Sequence, residues 1–403
     1  MLPARLHGRR GRVQLLVTLG VLSSFGPMST DLYLPAFPAI ADSFDTDTAS
    51  IRITLAASFL GLGLGQLLYG PLSDRFGRRG PLMGGLVLFI VASLGCAWAP
   101  TLEILTGMRL LQALGGCAGL VLARAMVRDC YSGAAMARTM SLMTMVFALA
   151  PLLAPTLGAA IITIATWPWM FVALALFGVV CLALAIALPE THPHAARSRV
   201  GVAGAVRGYG TVLRSRPFLV PAAIVSLGSI TLFAYIASSP AVLMESYGLT
   251  PQQFAFAFGG ISLAIVIGSQ INIRLLRRYA VHRLLRVYLT LQVCMALILV
   301  ALTVTSAPVS FIIGGLAVLV MFFAGTQANA VTEALRSFPH LAGTASAALG
   351  VGQFVFGAVI SIVLAQARVY PPLIMAATMA AASVMALVVA VMGAKSLVDA
   401  GSH

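Results

Sequence analysis

Two charged residues lie inside apolar stretches long enough to cross a membrane. Asp31 lies about 28 Å beyond Arg12 along a helix that rises roughly 1.5 Å per residue, in the outer half of the first stretch. Arg109 lies about 9 Å inside the outer end of a later stretch, measured from Glu103, so the two reach similar depth. A carboxylate at that depth is costly unless it is paired, hydrated or protonated. Asp31 is therefore a candidate proton carrier, and Arg109 is its candidate partner.

Each of these two residues also has a purely structural interpretation. Asp31 could be a water-exposed cap near Pro35 and the acidic outer loop. Arg109 could tie its helix to neighbouring carbonyl groups. If the pair does interact, a substrate that disturbs the balance between the two charges could load or release a proton.

The string GPLSDRFGRR, residues 70–79, is the most specific in the chain. We expect Gly70 and Pro71 to end a helix and Gly77 to permit a tight turn. Asp74 is the one acid among arginines that would anchor the loop at an anionic membrane surface: Arg75, Arg78 and Arg79. An ordinary basic loop would explain the arginines, but not Gly70, Asp74 and Gly77 at this spacing.

Another apolar stretch contains two prolines and small residues. Pro151 and Pro155 each remove a backbone donor and loosen the helix, while Ala154 and Gly158 allow close packing. Such a helix suits an interface at which helices move against each other, although membrane helices tolerate proline generally.

Polar side chains at membrane depth are candidates for contacting a neutral polar substrate, although each could equally satisfy a backbone carbonyl: Tyr33, Gln66, Gln112, Tyr235, Gln327, Asn329 and Gln353. Near helix ends, Glu333 beside Arg336 and Asp129 beside Arg128 predict ion pairs that reach toward the membrane surface.

The composition indicates what must position these residues. Of 403 residues, 60% are hydrophobic and 9% are charged, whereas a soluble domain carries roughly 25% charged residues. Apolar runs of about 20 residues recur along the chain, the length of a membrane-spanning helix. We predict an all-α membrane protein with twelve spans, near residues 13–37, 50–71, 81–99, 103–125, 136–160, 168–188, 217–244, 252–274, 284–303, 309–333, 341–365 and 371–393.

The net charge of +14 is distributed unevenly along the chain. One set of connections, together with the amino terminus, carries nearly all the basic residues, including Arg5, Arg12, Arg197, Arg199, Arg214, Arg216, Arg274, Arg277, Arg278, Arg283, Arg286, Arg336 and Lys395. The opposite connections hold mainly acids, with Arg52 and Arg368 against them. The positive-inside rule then places both termini in the cytoplasm, so we expect a bacterial-type inner membrane protein and no nucleic-acid partner.

The longest polar connection divides the chain into halves. We predict a six-helix bundle over residues 1–188, a cytoplasmic linker over residues 189–216 and a second six-helix bundle over residues 217–403. A faint repeat supports pseudo-symmetry, because the sequence from Gly65 parallels the sequence from Gly268. Parallel halves around a midplane cavity are one solution for alternating access.

The 70–79 string resembles the loop between the second and third helices of the major facilitator superfamily. Other strings resemble its bicyclomycin and chloramphenicol resistance branch of drug:proton antiporters: STDLYLPAFP, RLLQALGG, RAMVRD, APLLAPTLG, SSPAVLME and ALRSFPHLAGTASA. The resemblance implies the major facilitator fold, a gating role for Asp74 and its neighbouring arginines, and an antiporter motif at Pro151, Pro155 and Gly158.

The resemblance implies a proton-coupled exporter of small amphipathic antibiotics such as phenicols or bicyclomycin. An exporter of an endogenous metabolite, for instance a nucleoside, is the alternative on the same fold. A receptor or a membrane-embedded enzyme is less well supported, because the sequence shows no cluster of reactive side chains for one site. The resemblance of the 70–79 string argues against a channel. We expect a monomer with no cofactor and no metal site. No nucleotide is expected, since the sequence lacks a phosphate-binding loop, and the resemblance implies that the proton gradient drives transport.

Overall fold

The computed structural model describes residues 9–193, 202–338, 341–367 and 371–393. These residues form fifteen α-helices, one 3₁₀ turn and one π-helical turn. The helices are α1 (Arg9–Ser23), α2 (Phe25–Asp31), α3 (Phe37–Ser43), α4 (Thr48–Phe76), α5 (Arg79–Ala97), α6 (Leu102–Cys130), α7 (Gly133–Ile164), α8 (Pro168–Ile186), α9 (Val202–Leu213), α10 (Arg216–Ser239), α11 (Pro251–Leu275), α12 (Val281–Val304), α13 (Val309–Arg336), α14 (Ala342–Gln366) and α15 (Pro371–Met392).

Twelve helical segments in the described part of the chain are long and apolar enough to cross a membrane, as predicted. Only helices satisfy all their backbone groups within one segment, so an apolar chain of this kind forms helices in lipid. The predicted all-α membrane fold is confirmed.

The first span, Leu15–Ser43, is interrupted and extends six residues beyond its predicted end at residue 37. The hydroxyl of Ser24 donates to the Val21 carbonyl at 2.7 Å, a bond that competes with the helical ladder between α1 and α2. After α2 the chain makes a 3₁₀ turn over Leu34–Ala36 and continues as α3. Asp31, the last residue of α2, therefore lies just past the middle of this span, toward its Ser43 end.

Helix α4 continues past Pro71, which corrects the prediction that Gly70 and Pro71 end it. A membrane helix tolerates a proline, which lacks a backbone N–H donor, because the other backbone hydrogen bonds of the helix are intact. The helix ends instead at Gly77, whose φ of 90° lies in the left-handed region that favours glycine. The Gly77 amide donates to the Ser73 carbonyl at 3.0 Å and completes the predicted tight turn.

The chain divides into two compact units. The first comprises residues 1–45 and 57–205, and the second comprises residues 46–56 and 206–403. The first turns of α4 thus group with the second unit, and the main division, between residues 205 and 206, lies within the predicted linker. The predicted linker contains α9. Of the residues used to predict orientation, Arg5, Arg197, Arg199, Arg368 and Lys395 lie outside the described residues.

Within the first unit, α5 packs against α6 and α8, and α1 packs against α6 and α7. Within the second unit, α10 packs against α13, α14 and α15, and α12 packs against α13 and α15. The two glycines of the faint repeat have matching surroundings. Gly65 lies against Cys117 on α6, and Gly268 lies against Met321 on α13. Each repeat glycine thus contacts the fourth span of its own half.

A buried glutamine joins four helices of the second unit. Gln292 on α12 donates to Ser383 on α15 at 3.1 Å and to Thr231 on α10 at 3.4 Å. Its side-chain oxygen accepts a hydrogen bond from Thr326 on α13 at 3.0 Å. Because a buried polar group is costly unless it is bonded, this satisfied set fixes the register of the four helices.

Candidate functional site

Asp31 is a buried carboxylate in the middle of the first span. The residue is 3% exposed. Its Oδ1 accepts a hydrogen bond from the Thr30 hydroxyl at 2.7 Å. Among the described residues, no basic side chain forms an ion pair with it. Its burial argues against the alternative of a water-exposed cap.

Arg109 on α6 is completely buried in the first unit. Its Nη1 donates to the Ser29 hydroxyl at 3.3 Å and to the Gln112 side-chain oxygen. The guanidinium lies over the Tyr33 ring, 4.2 Å from its centroid, and 5.7 Å from the Phe171 centroid. Aromatic faces stabilise a buried cation through their quadrupoles. Arg109 Nε and Nη2 have no hydrogen-bond partner among the described residues.

The predicted direct contact between Asp31 and Arg109 is therefore not formed in this structure. Instead, Arg109 contacts Ser29 and Tyr33, the residues two positions before and two positions after Asp31. The prediction compared depths along two helices, and depth does not determine which face of a helix a side chain occupies. Arg109 can influence Asp31 through the interrupted segment that carries it.

The glycine of the predicted antiporter motif packs directly beside this segment. A Cβ atom at Gly158 on α7 would collide with the Leu32 carbonyl oxygen and lie 3.4 Å from Pro35 Cγ. Leu32 follows Asp31 in the chain. Pro151 and Pro155 lie within α7, which continues through both. The antiporter motif and the buried acid are thus neighbours, a relation that spacing along the chain did not reveal.

The 70–79 turn is held by a buried arginine at its centre. Arg78 donates to Asp129 Oδ2 at 2.9 Å, to the Ser73 hydroxyl at 2.8 Å and to Asp74. Burial disfavours its charged form, but the hydrogen bonds to Asp129 and Asp74 outweigh that effect and raise the pKa of Arg78 above its ordinary value. The predicted pairing of Asp129 with Arg128 is therefore replaced by a pair with Arg78.

The other residues of the turn have different surroundings. Arg75 is exposed, with its guanidinium 5.3 Å from the Phe76 ring centroid. Arg79 donates to the Ile186 carbonyl at 2.7 Å and so ties the start of α5 to the end of α8. Gly70 has open space where a side chain would begin, so packing does not explain why a glycine is at this position.

Sequence reasoning missed Glu190, which binds the start of α5. Its carboxylate accepts hydrogen bonds from the backbone amides of Arg78 at 2.9 Å and Arg79 at 3.2 Å. The next residue, Thr191, donates to Asp129 at 3.2 Å. A carboxylate at a helix amino terminus satisfies free amides and complements the helix dipole. One feature of the sequence could have indicated this role: Glu190 is the one acid in the basic stretch 189–216.

Replacing Glu190 with Ala is expected to lower the stability of the detergent-purified protein. Three backbone amides, those of Arg78, Arg79 and His192, would lose their acceptor, and the loss of a helix cap costs about 1–2 kcal/mol. Thermal unfolding followed by tryptophan fluorescence checks this, with the exposed acid Asp42 changed to Ala as the matched control. Equal melting temperatures for the two variants would show that the cap contributes nothing.

Four of the predicted substrate-contacting residues are engaged within the protein. Gln112 bonds both Arg109 and Ser93, and Asn329 forms a reciprocal amide pair with Asn272 at 3.0 and 3.3 Å. Tyr33 lies under Arg109. Tyr235 is buried and stacks on Phe258 with ring centroids 5.1 Å apart. These contacts support the helices, and the role of the four residues in contacting substrate stays a prediction.

Three predicted candidates are only partly buried: Gln66, Gln327 and Gln353. Gln327 donates to the Val225 carbonyl at 3.2 Å and to the Ser229 hydroxyl at 2.9 Å. Because the Val225 carbonyl can only accept, the Gln327 amide nitrogen must face it. The Gln327 side-chain oxygen has no partner among the described residues and could accept a hydrogen bond. Glu333 lies 4.0 Å from Arg336, at the distance limit of an ion pair.

Comparison with known families and relatives gives a consistent result. A family model described as Major Facilitator Superfamily matches residues 19–362. An uncharacterized MFS-type transporter, YdgK of Bacillus subtilis, is 34% identical over 361 residues, covering 88% of this chain and 90% of the relative. A bicyclomycin resistance protein homolog of Haemophilus influenzae is 30% identical, covering 92% and 94%. A chloramphenicol resistance protein of Pseudomonas aeruginosa is 31% identical, covering 83% and 80%.

Solved structures share the fold at low sequence identity. A D-xylose-proton symporter superposes with a TM-score of 0.73 at 16% identity, covering 94% of this chain and 97% of the symporter. A bacterial homologue of the human lysosomal transporter Spinster superposes with a TM-score of 0.67 at 13% identity, covering 98% and 97%. These similarities concern the arrangement of the helices.

Proposed function

The chain belongs to the Major Facilitator Superfamily, and from that premise we propose that it exports small amphipathic antibiotics, such as phenicols or bicyclomycin, in exchange for protons. The resemblance to the bicyclomycin and chloramphenicol resistance branch is confirmed by the relatives. The protein is a transporter and not an enzyme. One observation supports proton coupling above all: Asp31 is a buried acid, and it has no ion-pair partner in the described structure.

The surroundings of Asp31 suggest how a proton and a substrate would compete. In its buried state, the carboxylate accepts one hydrogen bond from Thr30, too little to compensate a full charge in a low dielectric. The residue should bind a proton when water is excluded and release it when the site is hydrated. A substrate that changes this hydration would change the proton occupancy, which couples the two movements.

The remaining predicted residues take roles around this step. Arg109, buried and stacked on Tyr33, would keep the α2 segment in place and tune the charge near Asp31. Asp74 and Arg78 would hold the inner gate together with Asp129. Gly158 would let α7 slide against the segment after Asp31. Energy would come from the proton gradient without a cofactor, in a monomer of the inner membrane with both termini cytoplasmic.

Everted membrane vesicles test this function directly. With an imposed pH gradient, vesicles containing the protein should accumulate labelled chloramphenicol or bicyclomycin, and an uncoupler should abolish the accumulation. Uptake that an uncoupler leaves unchanged would reject proton coupling. If neither antibiotic is taken up and expressing cells gain no resistance in a broad growth-inhibition profile, an endogenous metabolite such as a nucleoside becomes the preferred substrate class.

A further inference from the structure

The turn between α11 and α12 presents a dense cluster of arginines. Five of them lie within residues 274–286, at the end of one span and the start of the next. We call them the α11–α12 patch: Arg274, Arg277, Arg278, Arg283 and Arg286. All except Arg286 are exposed. The Arg286 Nε atom is buried and has no hydrogen-bond partner among the described residues.

The patch has no internal counter-charge. The sequence contains no Asp or Glu between Glu245 and Glu333. Glu333 lies 4.0 Å from Arg336, a basic residue outside the patch. No patch arginine takes part in an ion pair within the part of the chain that the structure describes. Five like charges at the adjoining ends of α11 and α12 repel one another unless an external anion neutralises them.

The corresponding turn of the first unit shows what such arginines need. In the faint repeat, the 70–79 turn aligns with the α11–α12 turn. There, Arg78 is neutralised by Asp74 and Asp129, and Glu190 binds the backbone amides that follow. In the second unit, Arg277 stands where the aligned first-unit turn has Asp74. Glu333, near the end of α13, interacts with Arg336 and His282 and forms no ion pair with a patch arginine in the described structure. The patch arginines therefore lack the carboxylate partners that Arg78 has in the first unit.

The position of the patch identifies the missing anion. The ends of apolar spans lie at the headgroup layer of the bilayer, where the phosphates of anionic lipids are the dense fixed negative charges. Guanidinium groups bind phosphate oxygens through paired hydrogen bonds. Tyr279, in the middle of the patch, is 45% exposed, and tyrosine favours this same layer. We propose that the α11–α12 patch binds the headgroup phosphates of anionic lipids such as phosphatidylglycerol or cardiolipin.

Lipid titration of the purified full chain tests this proposal. Native mass spectrometry and thermal unfolding in detergent measure binding of phosphatidylglycerol, with phosphatidylcholine of the same acyl chains and inorganic phosphate as comparison ligands. The test variant is R277Q/R278Q. The matched control is R214Q/R216Q, which removes two exposed arginines elsewhere in the same unit. The Arg277→Lys/Arg278→Lys variant keeps the charge and checks that the turn tolerates substitution.

We expect R277Q/R278Q to bind phosphatidylglycerol about thirtyfold more weakly, because each basic residue near the surface contributes roughly a fivefold factor. The control and the lysine variant should stay within a few-fold of the unchanged protein, and phosphatidylcholine should not stabilise it. Equal losses in R277Q/R278Q and the control would overturn a specific site. Equal stabilisation by inorganic phosphate would overturn the assignment to lipid. Undiminished lipid binding by R277Q/R278Q would reject the patch altogether.

Discussion

The Asp31→Asn variant is expected to lose all gradient-driven accumulation of substrate while still folding in the membrane. Asparagine has nearly the shape of aspartate and can still accept the Thr30 hydrogen bond, but it cannot exchange a proton. Each proton exchanged per substrate supports up to about tenfold accumulation per unit of pH difference, since 1.4 kcal/mol corresponds to a factor of ten. Without a proton the accumulation ratio should fall to about one. Uptake into everted vesicles at several imposed pH differences measures this ratio.

A matched control and a binding measurement separate coupling from general damage. Asp42→Asn neutralises an exposed acid in the same span and should keep full accumulation. Substrate-induced thermal shifts should persist in Asp31→Asn, because the expected loss concerns the proton. If Asp31→Asn accumulates substrate with the same dependence on the pH difference as the unchanged protein, another residue carries the proton.

The Gly158→Val variant is expected to abolish transport and to destabilise the protein. The first side-chain carbon at this position would collide with the Leu32 carbonyl oxygen, which is backbone and cannot move without shifting the segment after Asp31. Overpacking of this kind costs about 1–3 kcal/mol. Thermal unfolding and vesicle uptake together measure the two effects. Gly158→Ala should also lower transport and stability, with a smaller loss of stability.

Glycines with open surroundings supply the control for this variant. Gly107 lies within α6 with no heavy atom close to where a Cβ would be. Gly107→Ala should leave transport intact and raise helix stability by up to about 1 kcal/mol, because alanine favours the helix. Normal transport by Gly158→Val would show that α7 can separate from Leu32 without consequence, and that the antiporter motif acts in another way.

The spans could be predicted from the sequence because hydrophobic length is a local property. Their interruptions could not be placed with the same accuracy. Pro71 suggested a helix end, but one missing donor does not end a helix in lipid, whereas the backbone angle at Gly77 does. The break before α2 depends on the Ser24 hydroxyl, and the break after Asp31 is a 3₁₀ turn that contains Pro35. Composition does not show the hydrogen bonds that compete with the helix at these points.

The site was predicted in part, and the errors have a common cause. Asp31 and Arg109 were identified correctly as charges at membrane depth, because any charge there is exceptional. Their partners depend on helix rotation, and Arg109 turns toward Ser29 and Tyr33 rather than Asp31. Gln112 and Asn329, which were predicted to contact substrate, bond neighbouring helices in this structure, and their role toward substrate stays a prediction. A polar side chain in an apolar span indicates a required hydrogen bond without identifying its partner.

The attachment of Glu190 to the start of α5 also has a consequence for biosynthesis. The chain emerges from the ribosome from its amino terminus, so Arg78 and Asp74 are made first, Asp129 follows with α6, and Glu190 comes only after α8. Until then the amides of Arg78 and Arg79 lack their acceptor. The hydrogen bonds that connect these parts of the first unit are therefore completed only after its sixth span and Glu190 have left the ribosome.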